Sequence, residues 1–138
     1  MYSKKVLQHF KNPKNMGKIK NPDGVATVGN PRCGDIMKMY IKIGFNHHPS
    51  SISHKYIKDI KFQTLGCAAA IATSSIVTEL VKGRSLDEAL KVDNKKVIKA
   101  LGGLPKAKIH CSLLAVKAIK KAIENYKKSV KTDTKKRR

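Results

Sequence analysis

The spacing of apolar residues changes once along this chain, from a period of two to a helical period, and that change limits the fold more than any other feature. Beyond Ile36, the residues Met37, Met39, Ile41, Ile43 and Phe45 alternate with Lys38, Tyr40 and Lys42, the pattern of a strand with one buried face. Ile60, Phe62 and Thr64 then alternate with Lys61 and Gln63 and predict a matching strand. Between the two lies a polar loop, Asn46 to Lys55, longer than a tight hairpin needs. After Gly66 the pattern turns helical and stays so. Strands followed by helices predict an α+β fold, a small three-stranded antiparallel sheet with helices packed on one face.

Local signals fill in the elements. Ser3 can cap a short helix that carries Val6, Leu7 and Phe10 on one side and His9 on its polar side, stopping near Asn12-Pro13. A turn-rich stretch from Asn15 to Gly34 leaves room for a short strand around Val25 to Val28. Ala68 to Lys82 predicts a helix with Ile71, Ser75, Thr78 and Val81 along one side, ended by Gly83. On that helix Thr73, Ser74 and Ser75 are read as packing or back-bonding residues. Ser85-Leu86-Asp87-Glu88 is a capping box, and Asp93 can cap a further helix with Val97, Ile98 and Leu101 inward. A longer helix is predicted to follow Cys111, with Ala115, Ile119, Ala122, Ile123 and Tyr126 at helical spacing. Residues 1–127 are expected to form one domain, and 128–138 a basic, flexible tail that frays.

Of 138 residues, 30 are Lys or Arg and 9 are Asp or Glu, a formal net charge of +21. Such a balance raises nucleic-acid binding. Arginine, the better fork for phosphate, appears only at Arg32, Arg84, Arg137 and Arg138, and the lysines are scattered with few aromatics to stack on bases. Solvated surfaces explain the charge better than a specific nucleic-acid face. No apolar run approaches the roughly 18 residues of a membrane span. Nor does Met1-Tyr2-Ser3-Lys4-Lys5 begin a secretory signal. The expected location is bacterial or archaeal cytoplasm, with an organelle matrix as the alternative.

The three cysteines each fall at a predicted junction. Cys33 lies in the turn Gly29-Asn30-Pro31-Arg32-Cys33-Gly34-Asp35, Cys67 where a strand gives way to a helix, and Cys111 after His110 at the start of the last helix. A thiol at a helix N-terminus faces unpaired N–H groups, so Cys67 and Cys111 are expected to favour the thiolate. Cys, Asp and His together suit iron, iron–sulfur clusters or zinc. Their intervals match no compact zinc-finger pattern, so the fold has to bring them together. His47, His48 and His54 lie in the polar loop and are read as surface.

Three stretches carry a family resemblance: Gly29 to Asp35, Gly66-Cys67-Ala68-Ala69-Ala70-Ile71-Ala72-Thr73-Ser74-Ser75, and Leu104-Pro105-Lys106-Ala107-Lys108-Ile109-His110-Cys111-Ser112. With Val81 to Ala89 they resemble the IscU/NifU-type iron–sulfur scaffold proteins, from Lys5 to about Lys127. The resemblance implies a scaffold rather than a classical enzyme. It would accept persulfide sulfur from a cysteine desulfurase, bind ferrous iron, draw electrons from a ferredoxin-like donor and pass the cluster to apo-proteins. By the same resemblance Cys33, Cys67 and Cys111 hold a transient 2Fe–2S (or 4Fe–4S) cluster, completed by Asp35 or His110. Cys111 accepts the persulfide, Asp35 keeps the cluster labile, and Lys108 steadies thiolate or persulfide charge. Zinc is an alternative occupant, and monomer and homodimer both stay open.

Two features depart from the family pattern. Leu104-Pro105-Lys106-Ala107-Lys108 differs from the Leu-Pro-Pro-Val-Lys that a dedicated chaperone reads, and the loop after Asn46 is long. His110 sets the chain apart from SufU-like relatives, zinc-dependent sulfur acceptors that lack it. A SufU-like role and a basic nucleic-acid-binding domain are the competing readings.

Overall fold

The computed structural model describes residues 2–30, 34–46 and 54–136. Helix α1 (Lys4–Lys11) precedes strands β1 (Gly24–Asn30), β2 (Asp35–Asn46) and β3 (His54–Leu65). Helices α2 (Ala68–Val81), α3 (Leu86–Leu90), α4 (Asn94–Ala100) and α5 (Ile109–Lys136) follow, with a 3-10 turn at Lys106–Lys108 before α5. The strands form an antiparallel sheet in the order β1-β2-β3, as the alternation predicts.

Met37, Met39, Ile41 and Ile43 of β2 are buried, as are Ile60 and Phe62 of β3. A register shift at Lys42/Ile43, where Ile43 pairs with Ile57 and Lys42 with Asp59, leaves Lys58 unpaired. That bulge lets Ile57 and Ile60, three positions apart, both face the core. Helix α5 lies along β1 and β2 and buries Ala115, Ile119, Ala122, Ile123 and Tyr126 in that core. The caps form as read: Ser3 Oγ accepts from Val6 N–H, Ser85 Oγ from Glu88 N–H and Asp93 Oδ1 from Lys96 N–H. Among the described residues no helix is long and apolar enough to cross a membrane.

Several expectations need correction. Only Val6 of the predicted α1 face is buried, whereas Leu7 and Phe10 are exposed and His9 is turned inward. Helix α1 rests on a polar part of α2, so His9 Nδ1 meets Ser75 Oγ at 2.6 Å. Helix α2 is buried on nearly all sides, because α1, the sheet and α5 all pack on it. Thr73 and Ser74 do back-bond, to the carbonyls of Ala69 and Ala70. Ser75 instead serves α1 and accepts from Lys14 N–H at 2.8 Å. Phe45 is exposed despite its phase in β2. Asn46 and Lys55 end paired strands rather than lie in a loop, as does His54, while His47 and His48 fall outside the described residues. Helix α5 begins before Cys111 and continues through Lys136, well past Lys127.

Candidate metal and thiol site

The chain crossings at one end of the sheet bring the predicted residues together. Asp35 opens β2, Cys67 is the N-cap residue of α2, and Cys111 sits in the first turn of α5. Cys67 Sγ and Cys111 Sγ are 3.9 Å apart, and Cys111 Sγ is 3.8 Å from Asp35 Oδ2. One ligand atom from each of the three lies within 4.8 Å of the others. Two thiolates on one tetrahedral ion, with metal–sulfur bonds of about 2.3 Å, stand about 3.8 Å apart. The observed separations therefore suit two sulfurs and an oxygen on a single metal. His110 Nε2 is 3.6 Å from Cys111 Sγ but outside this mutual group, a fourth donor at its margin. Cys33 lies outside the described residues.

The walls of the site are apolar. Ala69, Ala70 and Cys111 form a small buried cluster, with Tyr2, Cys67 and Leu104 packed against it. Thr73 Oγ1 reaches the Cys111 carbonyl at 3.3 Å and ties the start of α5 to α2. Asp35 is buried and Cys67 half-buried. Burial pushes the Cys111 thiol up to about 12, and the nearby Cys67 and Asp35 charges act in the same direction. Lys108 pulls the other way but is the weakest of these influences. Burial thus favours the neutral Cys111 thiol, where its place at a helix N-terminus led to the expectation of a thiolate.

Lys108 itself is held above its ordinary value, chiefly by Cys67 and next by Tyr2. Lys108 closes the 3-10 turn just before α5, near enough to Cys67 and Cys111 to feel their charge. Such a site binds a soft metal with loss of protons, or holds a sulfur nucleophile beside a cation.

Two contributors escape the sequence reading. Tyr2 packs on the thiol cluster from the N-terminus, and only its aromatic character hinted at burial. Gly66 provides close approach: a Cβ there would stand 2.9 Å from both Asp35 Oδ1 and Ala70 Cβ. A glycine between strand and helix is the signal for such a contact.

Comparison with known proteins agrees with this geometry. Residues 1–133 match the family model of the NifU-like N-terminal domain. The iron–sulfur cluster assembly scaffold protein IscU 1 of Archaeoglobus fulgidus is 57% identical over 126 residues, covering 91% of this chain and 76% of that protein. The IscU scaffold protein of Escherichia coli K12 is 48% identical over 129 residues, covering 91% and 94%. Among solved structures, an iron–sulfur cluster assembly scaffold protein for the SUF system of Fervidobacterium islandicum superposes with a TM-score of 0.65 at 25% identity, covering 88% of this chain and 96% of that one. The order of motifs, the sheet with its helical layer and the clustered thiols all agree: this chain belongs to the NifU-like N-terminal domain family, alongside the IscU scaffold proteins.

Proposed function

We propose that this protein is a scaffold on which iron–sulfur clusters are assembled and from which they are handed on. The observation that carries this reading is the meeting of Asp35, Cys67 and Cys111 within 4.8 Å, drawn from three elements far apart in sequence. Cys33, Cys67 and Cys111 would ligate the cluster, with Asp35 or His110 as the remaining ligand. A carboxylate is a poorer partner than thiolate for an iron–sulfur core. Asp35 therefore suits a product that has to leave.

Cys111 is the proposed persulfide acceptor. Its hydrophobic walls exclude water, and the Lys108 ammonium would steady the charge that develops on sulfur. A cysteine desulfurase would supply that sulfur, a ferredoxin-like protein the electrons, and apo-proteins would take the product. The cluster is the cargo, and the protein acts as its holder rather than as an enzyme. Residues 1–127 form the scaffold unit in this reading. Relatives from Archaeoglobus fulgidus and Escherichia coli support a cytoplasmic setting.

Anaerobic reconstitution with ferrous iron, cysteine and a cysteine desulfurase tests the proposal. Visible charge-transfer bands, equal iron and acid-labile sulfide, and transfer to an apo-ferredoxin are expected. In Cys111→Ser, persulfide acceptance should be lost. Persulfide on Cys111 with bound zinc and no cluster would replace the scaffold with a SufU-like sulfur acceptor.

A further inference from the structure

Among the described residues strand β1 pairs with β2 on one side only and forms an edge of the sheet. The Val25 carbonyl accepts from Asn125 Nδ2 of α5 at 2.8 Å, which marks the side of β1 away from β2. In an antiparallel strand the N–H and C=O of one residue point to the same side, and the side alternates along the chain. Thr27 and Gly29 therefore aim their backbone groups to the same side as Val25, beyond the point where Asn125 caps the edge, and both residues are exposed. A strand edge of this kind is a template for another strand.

Beside that edge is a cleft of about 700 Å³, whose other wall is Lys117, Lys120, Lys121, Glu124 and Lys128 of α5. With about 3.6 residues per turn, these five positions fall in one stripe about 100° wide. Glu124 pairs with Lys128 at 3.2 Å. Among the described residues no ion pair engages Lys117, Lys120 or Lys121. The cleft thus joins unpaired backbone groups to uncompensated positive charge.

We propose that this cleft takes an extended acidic segment of a partner protein, which adds a strand to β1 and sets its carboxylates against the lysines of α5. Alternate side chains of a strand lie about 7 Å apart, and residues four apart on a helix about 6 Å. Acidic residues at every second position therefore match the spacing of Lys117 and Lys121, one helical turn apart. Among the described residues no aromatic side chain lines the cleft to stack a base. Gly29 pairs with Ile36, the neighbour of Asp35, so one end of this edge lies close to the strand residue of the thiol site. The proposal stands apart from the scaffold reading, because neither the cleft nor its lysines belong to the metal site.

The test uses the full chain and a fluorescent peptide of alternating Glu and Thr, about ten residues long, enough to span the edge. Anisotropy should show saturable binding, and the amide resonances of Thr27 and Gly29 should shift. The double variant Lys120→Glu/Lys121→Glu, on exposed or half-exposed positions, should keep its circular dichroism and bind roughly tenfold more weakly. Methylating alternate backbone nitrogens of the peptide should weaken binding as much, since charge is kept and strand pairing lost. Equal affinity for the methylated peptide, or no saturable binding, would overturn the proposal. So would equally tight, equally lysine-dependent binding of a single-stranded DNA of matched charge, which would make the cleft a nucleic-acid site.

Discussion

Gly66 and Asp35 approach so closely that a Cβ on Gly66 would lie 2.9 Å from Asp35 Oδ1 and 3.0 Å from its Cγ. Ala70 Cβ blocks a second direction, also at 2.9 Å. The glycine therefore gives the buried carboxylate its place beside Cys111, and no special backbone angle is involved.

Gly66→Ala should displace the Asp35 carboxylate and press on the first turn of α2. Overpacking of this kind costs about 1–3 kcal/mol, readable as a lower urea midpoint. Zinc affinity in a competition titration should fall roughly tenfold, as when a group that orients a ligand is disturbed. Wild-type affinity in this variant would show that the carboxylate is not held in place by that contact.

The raised Cys111 thiol gives a pH dependence with a definite sign. Its value of about 12 lies above the ordinary 9.0, so the neutral thiol is favoured in the folded protein. Stability from this group is complete below about pH 9 and is lost as pH climbs toward 12. Alkylation of Cys111 in the apo protein, followed by mass spectrometry, should quicken about tenfold per pH unit across the alkaline range. A rate that levels off near neutral pH would mean that the helix N-terminus, not burial, governs this thiol.

The contrast between periodicity and packing explains which features were legible in the sequence. The alternation from Met37 to Ile43 revealed β2, and Ala115 to Tyr126 revealed the buried stripe of α5, because one side of each element meets a single apolar layer. Helix α2 misleads because it is enclosed by α1, the sheet and α5, so no single stripe describes it. His9 misleads for the opposite reason: its partner Ser75 is 66 positions away, and a local reading makes a histidine a surface residue. The site itself was visible as separate motifs, yet the 3.9 Å meeting of Cys67 and Cys111 depends on long-range packing that no local spacing encodes. The Gly66 contact was hidden for the same reason.

Asp35 should set the lifetime of the assembled cluster. It is buried 3.8 Å from Cys111 Sγ, a hard oxygen beside soft thiols. Asp35→Ala removes that oxygen donor, and the reconstituted cluster should persist longer and transfer to apo-ferredoxin more slowly. Absorbance decay under a chelator gives the measurement. An unchanged decay would assign the lability to another ligand.

Ser75 offers a test of the fold that leaves the thiols alone. Its hydroxyl meets His9 Nδ1 at 2.6 Å and accepts from Lys14 N–H at 2.8 Å, and so ties α1 and the segment after it to α2. Ser75→Ala leaves both partners without their bond in a part-buried place. Losing a partner there costs about 1–3 kcal/mol, because the remaining polar groups keep their desolvation penalty. The urea midpoint should drop accordingly, while zinc affinity stays at the wild-type value because Ser75 lies two turns along α2 from Cys67 and touches none of Asp35, Cys67 and Cys111. A variant that loses zinc affinity along with stability would show that the docking of α1 and the metal site form one cooperative unit, through Tyr2 at the start of the chain.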